Sequence, residues 1–338
     1  MQAQRLIREL RQDPSLAVDF QPINPTLPGP LRWLQQIKYV RTIATFLFYI
    51  PLVLLRVPRY DIIHIFSASY WSYTLWSLTP LLAGRLFGKK TIINYRSGEA
   101  DDHLTNWRTA IPTLKLAHEI VSPSGYLVDV FARYGLKIRS ISNILDKEPF
   151  LYRKRRKLRP VFLTNRILEP LYNVGCVLRA FHIVQKKYPE ASLTIAHDGI
   201  CRPQLEALAK ELGLRNTRFI GRVPHAKVPE LYDAADIYLT SPDLDCLPGS
   251  ILECFASGLP VVATKAGGIP YILEDGKTGL LVDCNDHEAM AQCCLRLLED
   301  EELVGRLTDR AYKEISRYDG EPVRRQWSRL YHKLIGSK

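Results

Sequence analysis

The chain of 338 residues is 46% hydrophobic and carries 46 Lys and Arg against 35 Asp and Glu, a formal charge of +11. That length accommodates two domains, and the apolar share can build two cores in a soluble enzyme of ordinary make-up. All seven cysteines lie between Cys176 and Cys294, odd in number and without a Cys-x-x-Cys pair, which argues against a disulfide framework or structural zinc and for a reducing cytosol.

The chain opens on Gln4-Arg5-Leu6-Ile7-Arg8-Glu9-Leu10-Arg11, a helix-like run without the apolar core of a signal peptide. Short apolar strands are expected at Ala17 to Phe20, Asp61 to Phe66, Thr91 to Tyr95 and Glu119 to Ser122. A second series follows at Val161 to Thr164, Leu193 to Ala196, Thr217 to Ile220, Ile237 to Thr240, Pro260 to Ala263 and Gly279 to Val282. Helices fit between them, notably Val174 to Lys187, Gln204 to Leu212 and His287 to Glu299. This alternation predicts an α/β chain of two Rossmann-like parallel-sheet domains, joined near Lys147 to Leu158, with a ligand cleft between them. A doubly wound domain normally opens with a strand and a glycine-rich loop, yet no glycine precedes Gly29. The first strand and its loop are therefore expected to be missing, with a start internal to a longer gene product favoured over a natural remnant.

Residues 1–159 carry 24 Lys and Arg against 11 Asp and Glu, about +13, while the remainder is about −2. The first half should therefore face something anionic. The run Arg153-Lys154-Arg155-Arg156-Lys157 reads as a solvated linker. The apolar run Ile43 to Leu55, bracketed by Lys38, Arg41, Arg56 and Arg59 and interrupted by Pro51, reads as too short to span a bilayer. A buried helix of the first domain is its favoured reading; the other is an interfacial segment resting on anionic lipid. His64, inside Ile62-Ile63-His64-Ile65-Phe66, reads as a core histidine. No nucleic-acid-binding motif accompanies the basic charge, and no nucleic-acid partner is expected.

The chemistry concentrates where Asp245 and Glu253 enclose seven residues across a loop-to-helix junction. Pro248 suits a first helical turn, and the N–H groups of the Pro248-Gly249-Ser250-Ile251 start can receive a diphosphate at the positive end of the helix dipole. Glu253 is expected about two turns down, facing a ribose hydroxyl pair. Asp243 and Asp245 have Asp-x-Asp spacing, but their place in this motif favours sugar recognition over a metal-bridged diphosphate.

Further motifs occur in order around it: Ala191-Ser192-Leu193-Thr194-Ile195-Ala196-His197-Asp198-Gly199, Phe219-Ile220-Gly221-Arg222-Val223-Pro224, Leu231-Tyr232-Asp233-Ala234-Ala235-Asp236, Gly258-Leu259-Pro260-Val261-Val262, Gly267-Gly268, and Gly276-Lys277-Thr278-Gly279-Leu280-Leu281-Val282. From Val161 to Val282 the chain resembles the C-terminal domain of retaining GT-B glycosyltransferases of family 4, the glycosyl transferases group 1. The resemblance implies an N-terminal acceptor domain over residues 1–155, a nucleotide-sugar domain over 156–317, and a terminal helix over 318–338 that crosses back to the first domain.

It also implies sugar transfer from a UDP-, GDP- or ADP-sugar to a polysaccharide or lipid-linked acceptor, without a metal or other cofactor. The setting would be cytoplasmic, peripheral to the inner membrane face. Asp245 and Glu253 would be catalytic, with donor contacts at Arg166, Arg222, Val223, Leu247, Pro248, Gly249, Ser250 and Glu253. The family's Gly-Arg pair reads Asn165-Arg166 here, and Leu171 stands where a diphosphate-gripping Lys is usual; Arg202 or Arg222 would then replace that Lys. Past the strand ending at Tyr95, the polar cluster Arg96, Glu99, Asp101, Asp102 and His103 holds the acceptor-side candidates Arg96 and His103, with Tyr70 and Trp71 as stacking partners or packing aromatics. These departures motivate an alternative, a catalytically impaired GT-B protein serving as a binding or assembly partner in a glycan pathway.

Overall fold

Two parallel sheets organise the chain in the computed structural model, which describes residues 2–336. One unit comprises the chain up to Ile144 together with the segment from Gly320 onward; the other runs from Leu145 to Asp319. The first division falls at Ile144 rather than at 155.

The first unit begins with α1 (Gln2–Leu10), a 3-10 segment (Gly29–Gln36), α2 (Val40–Arg56) and β1 (Ile62–Ser67). A helical stretch follows as α3 (Tyr70–Ser72), a π turn (Tyr73–Ser77) and α4 (Leu78–Leu86). Then come β2 (Lys90–Tyr95), α5 (Ala100–Asn106), α6 (Ala110–Leu114), β3 (Glu119–Ser122), α7 (Gly125–Arg133) and the two-residue β4 (Arg139–Ser140). The sheet order is β1-β2-β3-β4, all parallel. Ala17 to Phe20 forms no strand: the segment joins neither sheet, and Phe20 is 46% exposed. Alternating apolar residues permit a strand there, but no neighbouring edge takes up its backbone groups.

The second unit contains β5 (Val161–Thr164), α8 (Val174–Lys187), β6 (Ser192–Ile195), α9 (Arg202–Glu211), β7 (Thr217–Phe219), α10 (Val228–Ala234) and β8 (Ile237–Thr240). It continues through α11 (Gly249–Ala256), β9 (Val261–Thr264), β10 (Leu280–Val282), α12 (His287–Glu299) and α13 (Glu301–Glu314). Strand order β10-β9-β8-β5-β6-β7 is that of a doubly wound dinucleotide-binding sheet. The central strands read as nearly continuous apolar runs because helices cover both faces; every residue of β8 and β9 is buried.

The last helix, α14 (Gly320–Gly336), belongs to the first unit. Its Val323, Trp327, Leu330, Tyr331 and Leu334, an i, i+4, i+7, i+8, i+11 stripe, join Leu6, Leu10, Ile92 and Val121 in one core. His64 lies against this helix. Asn94 Nδ2 donates to His64 Nε2 over 3.2 Å, so the ring proton sits on Nδ1 and is donated to Tyr331 Oη at 2.7 Å.

Two expectations are corrected here. The basic run at 153–157 is not a solvated linker, because Arg155 is 3% exposed. Its guanidinium donates to the carbonyls of Tyr232 (2.7 Å), Ala235 (3.0 Å) and Ser257, while Arg153 pairs with Asp236 and Arg156 with Asp309. Nor is α2 a buried helix. With the turn that follows, it makes 20 residues from Val40 to Arg59, long and apolar enough to cross a membrane by length and composition, and only 22% of its apolar window is buried. Pro51 does not break the helix.

Candidate active site

In an open α/β sheet, ligands bind beyond the carboxyl ends of the strands where the strand order reverses. In the second unit that point lies between β5 and β8, which are neighbours in the sheet although β6 and β7 intervene in sequence. The loop after β5 supplies Asn165 and Arg166; the loop after β8 supplies Ser241 to Pro248 and leads into α11.

These two loops meet through an ion pair. Arg166 Nη2 bonds Asp245 Oδ2, Nη1 reaches Ser250 Oγ at 3.4 Å, and the guanidinium stacks 4.4 Å from the Tyr172 ring centroid. Both charged side chains are nearly buried, at 13% and 12% exposure, and Arg166 Nε finds no partner among the described residues. Burial pushes the Asp245 carboxyl upward, against the pull of Arg166 and the N–H groups of Leu247 and Cys246. Asp245 is also fixed from behind: Gly268 N–H donates to its carbonyl at 2.7 Å. A Cβ on Gly267, whose φ is +50°, would stand 2.4 Å from that oxygen, so the glycine pair permits the close approach.

Glu253 lies one turn past Gly249 on α11, closer to the helix start than the two turns expected, about 6 Å along the axis. Ser250, Ile251, Leu252, Cys254, Phe255 and Ala256 are buried, so Gly249 and Glu253, four apart, form the open face of this helix. A relay orients the carboxylate. Tyr238 Oη donates to Asn165 Oδ1 (2.7 Å), Asn165 Nδ2 donates to Tyr232 Oη (2.7 Å), and Tyr232 Oη donates to Glu253 Oε2 (2.9 Å). Burial raises both phenols well above their ordinary value, so they stay protonated donors. The roles of Tyr172, Tyr232 and Tyr238 escape sequence reasoning, since nothing local tells that a tyrosine will meet a carboxylate 21 residues on.

Arg222 lines an open cavity of about 830 Å³ with Leu171, Tyr172 and Asp243. Arg202 is engaged elsewhere, by Glu206 (2.7 Å), Asp198 (3.4 Å) and the Phe219 carbonyl (3.2 Å), so it does not replace the absent Lys. Val223 and Leu247 pack on the apolar core. Asp243 accepts from Asn173 at 3.3 Å while Asp245 meets Arg166, so the two carboxylates take different partners.

In the first unit the acceptor-side candidates separate. Arg96, after β2, donates to Asn143 Oδ1 at 2.6 Å and lies over the Phe66 ring. His103 is fully buried among Tyr70, Tyr73 and Tyr95, and its Nδ1 bonds Tyr95 Oη at 2.9 Å. Burial lowers its pKa to about 4, leaving a neutral ring with no exposed surface to offer an acceptor. Tyr70 and Trp71 meet Trp107 edge-on, and Tyr70 Oη donates to Asp102; Trp71 stays 67% exposed.

Residues 152–314 match the family model described as glycosyl transferases group 1. That match lies wholly within the second unit. The D-inositol 3-phosphate glycosyltransferase of Corynebacterium urealyticum is 32% identical over 175 residues, 49% of this chain and 41% of that protein. The phosphatidyl-myo-inositol mannosyltransferase of Mycolicibacterium smegmatis is 29% identical over 60% of this chain and 51% of its own length. The chain thus spans about half or less of these relatives. HepE of Anabaena, solved with UDP and glucose, superposes with a TM-score of 0.72 at 18% identity, covering 91% of this chain and 90% of its own. Sucrose-phosphate synthase of Thermosynechococcus elongatus gives 0.74 at 17% identity, covering 99% and 93%. The fold of the chain is GT-B, and the switch-point loops and the Asp245-to-Glu253 motif lie inside the segment matched to the family.

Proposed function

We propose that this chain is a retaining glycosyltransferase that moves a sugar from a UDP-, GDP- or ADP-sugar to a glycan or lipid-linked acceptor in the cytoplasm. The observation that carries this reading is the convergence of Arg166, Asp245, the α11 start and a pre-oriented Glu253 at the switch point. Departure of the nucleoside diphosphate is the step that develops charge. The N–H groups at Gly249 and Ser250 and the guanidinium of Arg166 would meet that charge, with Arg222 across the adjoining cavity as the second cation in place of Leu171.

Glu253 would accept from the ribose hydroxyls, and Asp245 would face the sugar and support the positive charge that grows at its anomeric carbon. Arg96 would serve the acceptor side. The charge is met by side chains and helix dipole, so the transfer would need no metal and proceed in EDTA. Relatives named for inositol phosphate and phosphatidylinositol acceptors support an acceptor with a polar ring, and HepE solved with UDP supports a nucleoside diphosphate donor.

The test is thermal unfolding with UDP, GDP and ADP in turn, for the wild type and Glu253→Ala. At a hundred times Kd a ligand adds about 2.7 kcal/mol. A rise in Tm with one nucleotide that vanishes in the variant supports the reading and selects the donor for transfer assays. A folded protein that responds to none of the three overturns it.

A further inference from the structure

We propose that the outward face of α2, continued by α4, is a docking surface for an anionic lipid bilayer; this stands independently of the donor site. Of 23 large apolar side chains exposed among the described residues, 15 lie between Phe20 and Phe87, so exposure concentrates in one part of the first unit. Helix α2 has two apolar faces. Thr45, Tyr49 and Val53, at i, i+4 and i+8, are buried, and the two apolar ones join Val57 and Ala83 in a small core beside Trp76. Ile43, Leu47, Leu54 and Leu55 point the other way and are 63%, 63%, 38% and 68% exposed. On α4, which packs beside α2, Leu86 is 73% exposed. Exposed apolar side chains gathered on two neighbouring helices in this way mark an interaction surface.

Charge selects the occupant. Between Phe20 and Gly98 the sequence holds one acidic residue, Asp61, against nine Lys and Arg. Lys38, Arg41, Arg56 and Arg59 bracket the helix and are exposed, and Trp33 and Tyr39 stand before it at 57% and 74% exposure. Apolar stripe, flanking cations and amphipathic aromatics together match the boundary between acyl chains and anionic headgroups. The helix would lie in that boundary rather than span it, because its other face is occupied by the core of the unit, with Tyr49 Oη donating to the Trp76 carbonyl.

Co-sedimentation of the full chain with vesicles of phosphatidylcholine, with and without 30 mol% phosphatidylglycerol, tests this. Binding is expected to the anionic vesicles, at least tenfold stronger than to the neutral ones and weakened by 0.5 M salt. The double variant Ile43→Asp/Leu47→Asp should bind at least tenfold more weakly, while circular dichroism shows it folded; these positions are already exposed. Neutralising Lys38, Arg41, Arg56 and Arg59 to Gln should remove the preference for anionic vesicles. Absence of wild-type binding, or binding indifferent to the double variant, overturns the proposal. So does sedimentation showing that this face instead pairs two copies of the chain, dissolved by the double variant without any vesicle association.

Discussion

Arg166 and Asp245, 79 residues apart in sequence, form a nearly buried ion pair that joins the loop after β5 to the loop before α11. Breaking one side leaves the other charge buried and alone, which costs about 3–5 kcal/mol. Arg166→Ala and Asp245→Ala should each lower stability by that order in urea unfolding, and the double variant should lose much less than their sum. Additive losses would mean that the two groups act separately.

The relay through Tyr232 predicts a smaller and more specific effect. Tyr232→Phe keeps the buried ring and removes the hydroxyl that donates to Glu253 and accepts from Asn165. We expect a destabilisation of about 1–2 kcal/mol from the unpaired groups. If Glu253 holds the donor ribose, nucleotide affinity should fall about tenfold while the unliganded circular dichroism spectrum stays the same. Unchanged affinity, read by calorimetry, would separate the relay from donor binding.

Arg155 predicts that the start of the second unit is part of its core. Burial lowers its pKa only to about 10, so it stays charged at neutral pH and holds the carbonyls of Tyr232, Ala235 and Ser257. Arg155→Ala should destabilise this unit by about 3 kcal/mol or more, and Arg155→Lys should not restore full stability, because an ammonium cannot reproduce the planar fork. Urea midpoints of the two variants provide the check; a loss under 1 kcal/mol for Arg155→Ala would contradict it.

The histidines of the first unit set a pH dependence. Burial depresses His64 to about 3 and His103 to about 4, from an ordinary 6.5. Below pH 6.5 the unfolded chain binds protons that the folded chain refuses, so the stability they contribute is fully present above 6.5 and is lost as pH falls toward about 4 for His103 and about 3 for His64. The urea midpoint should fall between pH 7.5 and 5.0, and the fall should shrink in His103→Phe. An identical fall in that variant would assign the effect to other groups.

Much of the fold was legible locally. The second-unit strands and the helices Val174 to Lys187 and His287 to Glu299 announce themselves because a buried parallel strand is an apolar run and a covering helix has a clear apolar period. The carboxylate pair and helix start were likewise legible, since Pro248-Gly249-Ser250 and the Asp245-to-Glu253 spacing are local patterns.

Other features depend on partners far away in sequence. A strand needs a neighbouring edge, and Ala17 to Phe20 finds none. A basic run is solvated or buried according to which carbonyls surround it, and three of them draw Arg155 inside. His103 becomes a neutral core residue only when Tyr70, Tyr73 and Tyr95 enclose it.

Sequence alone therefore determined the alternating α/β architecture, the segment that matches the family and the placing of Asp245 and Glu253 about one helix start, because periodicity and spacing act over a few residues. Only the tertiary structure decided which cation meets Asp245, what orients Glu253, and that α2 turns an apolar face outward. Burial and pairing are properties of surfaces brought together by folding, and a residue's neighbours in the chain do not specify them.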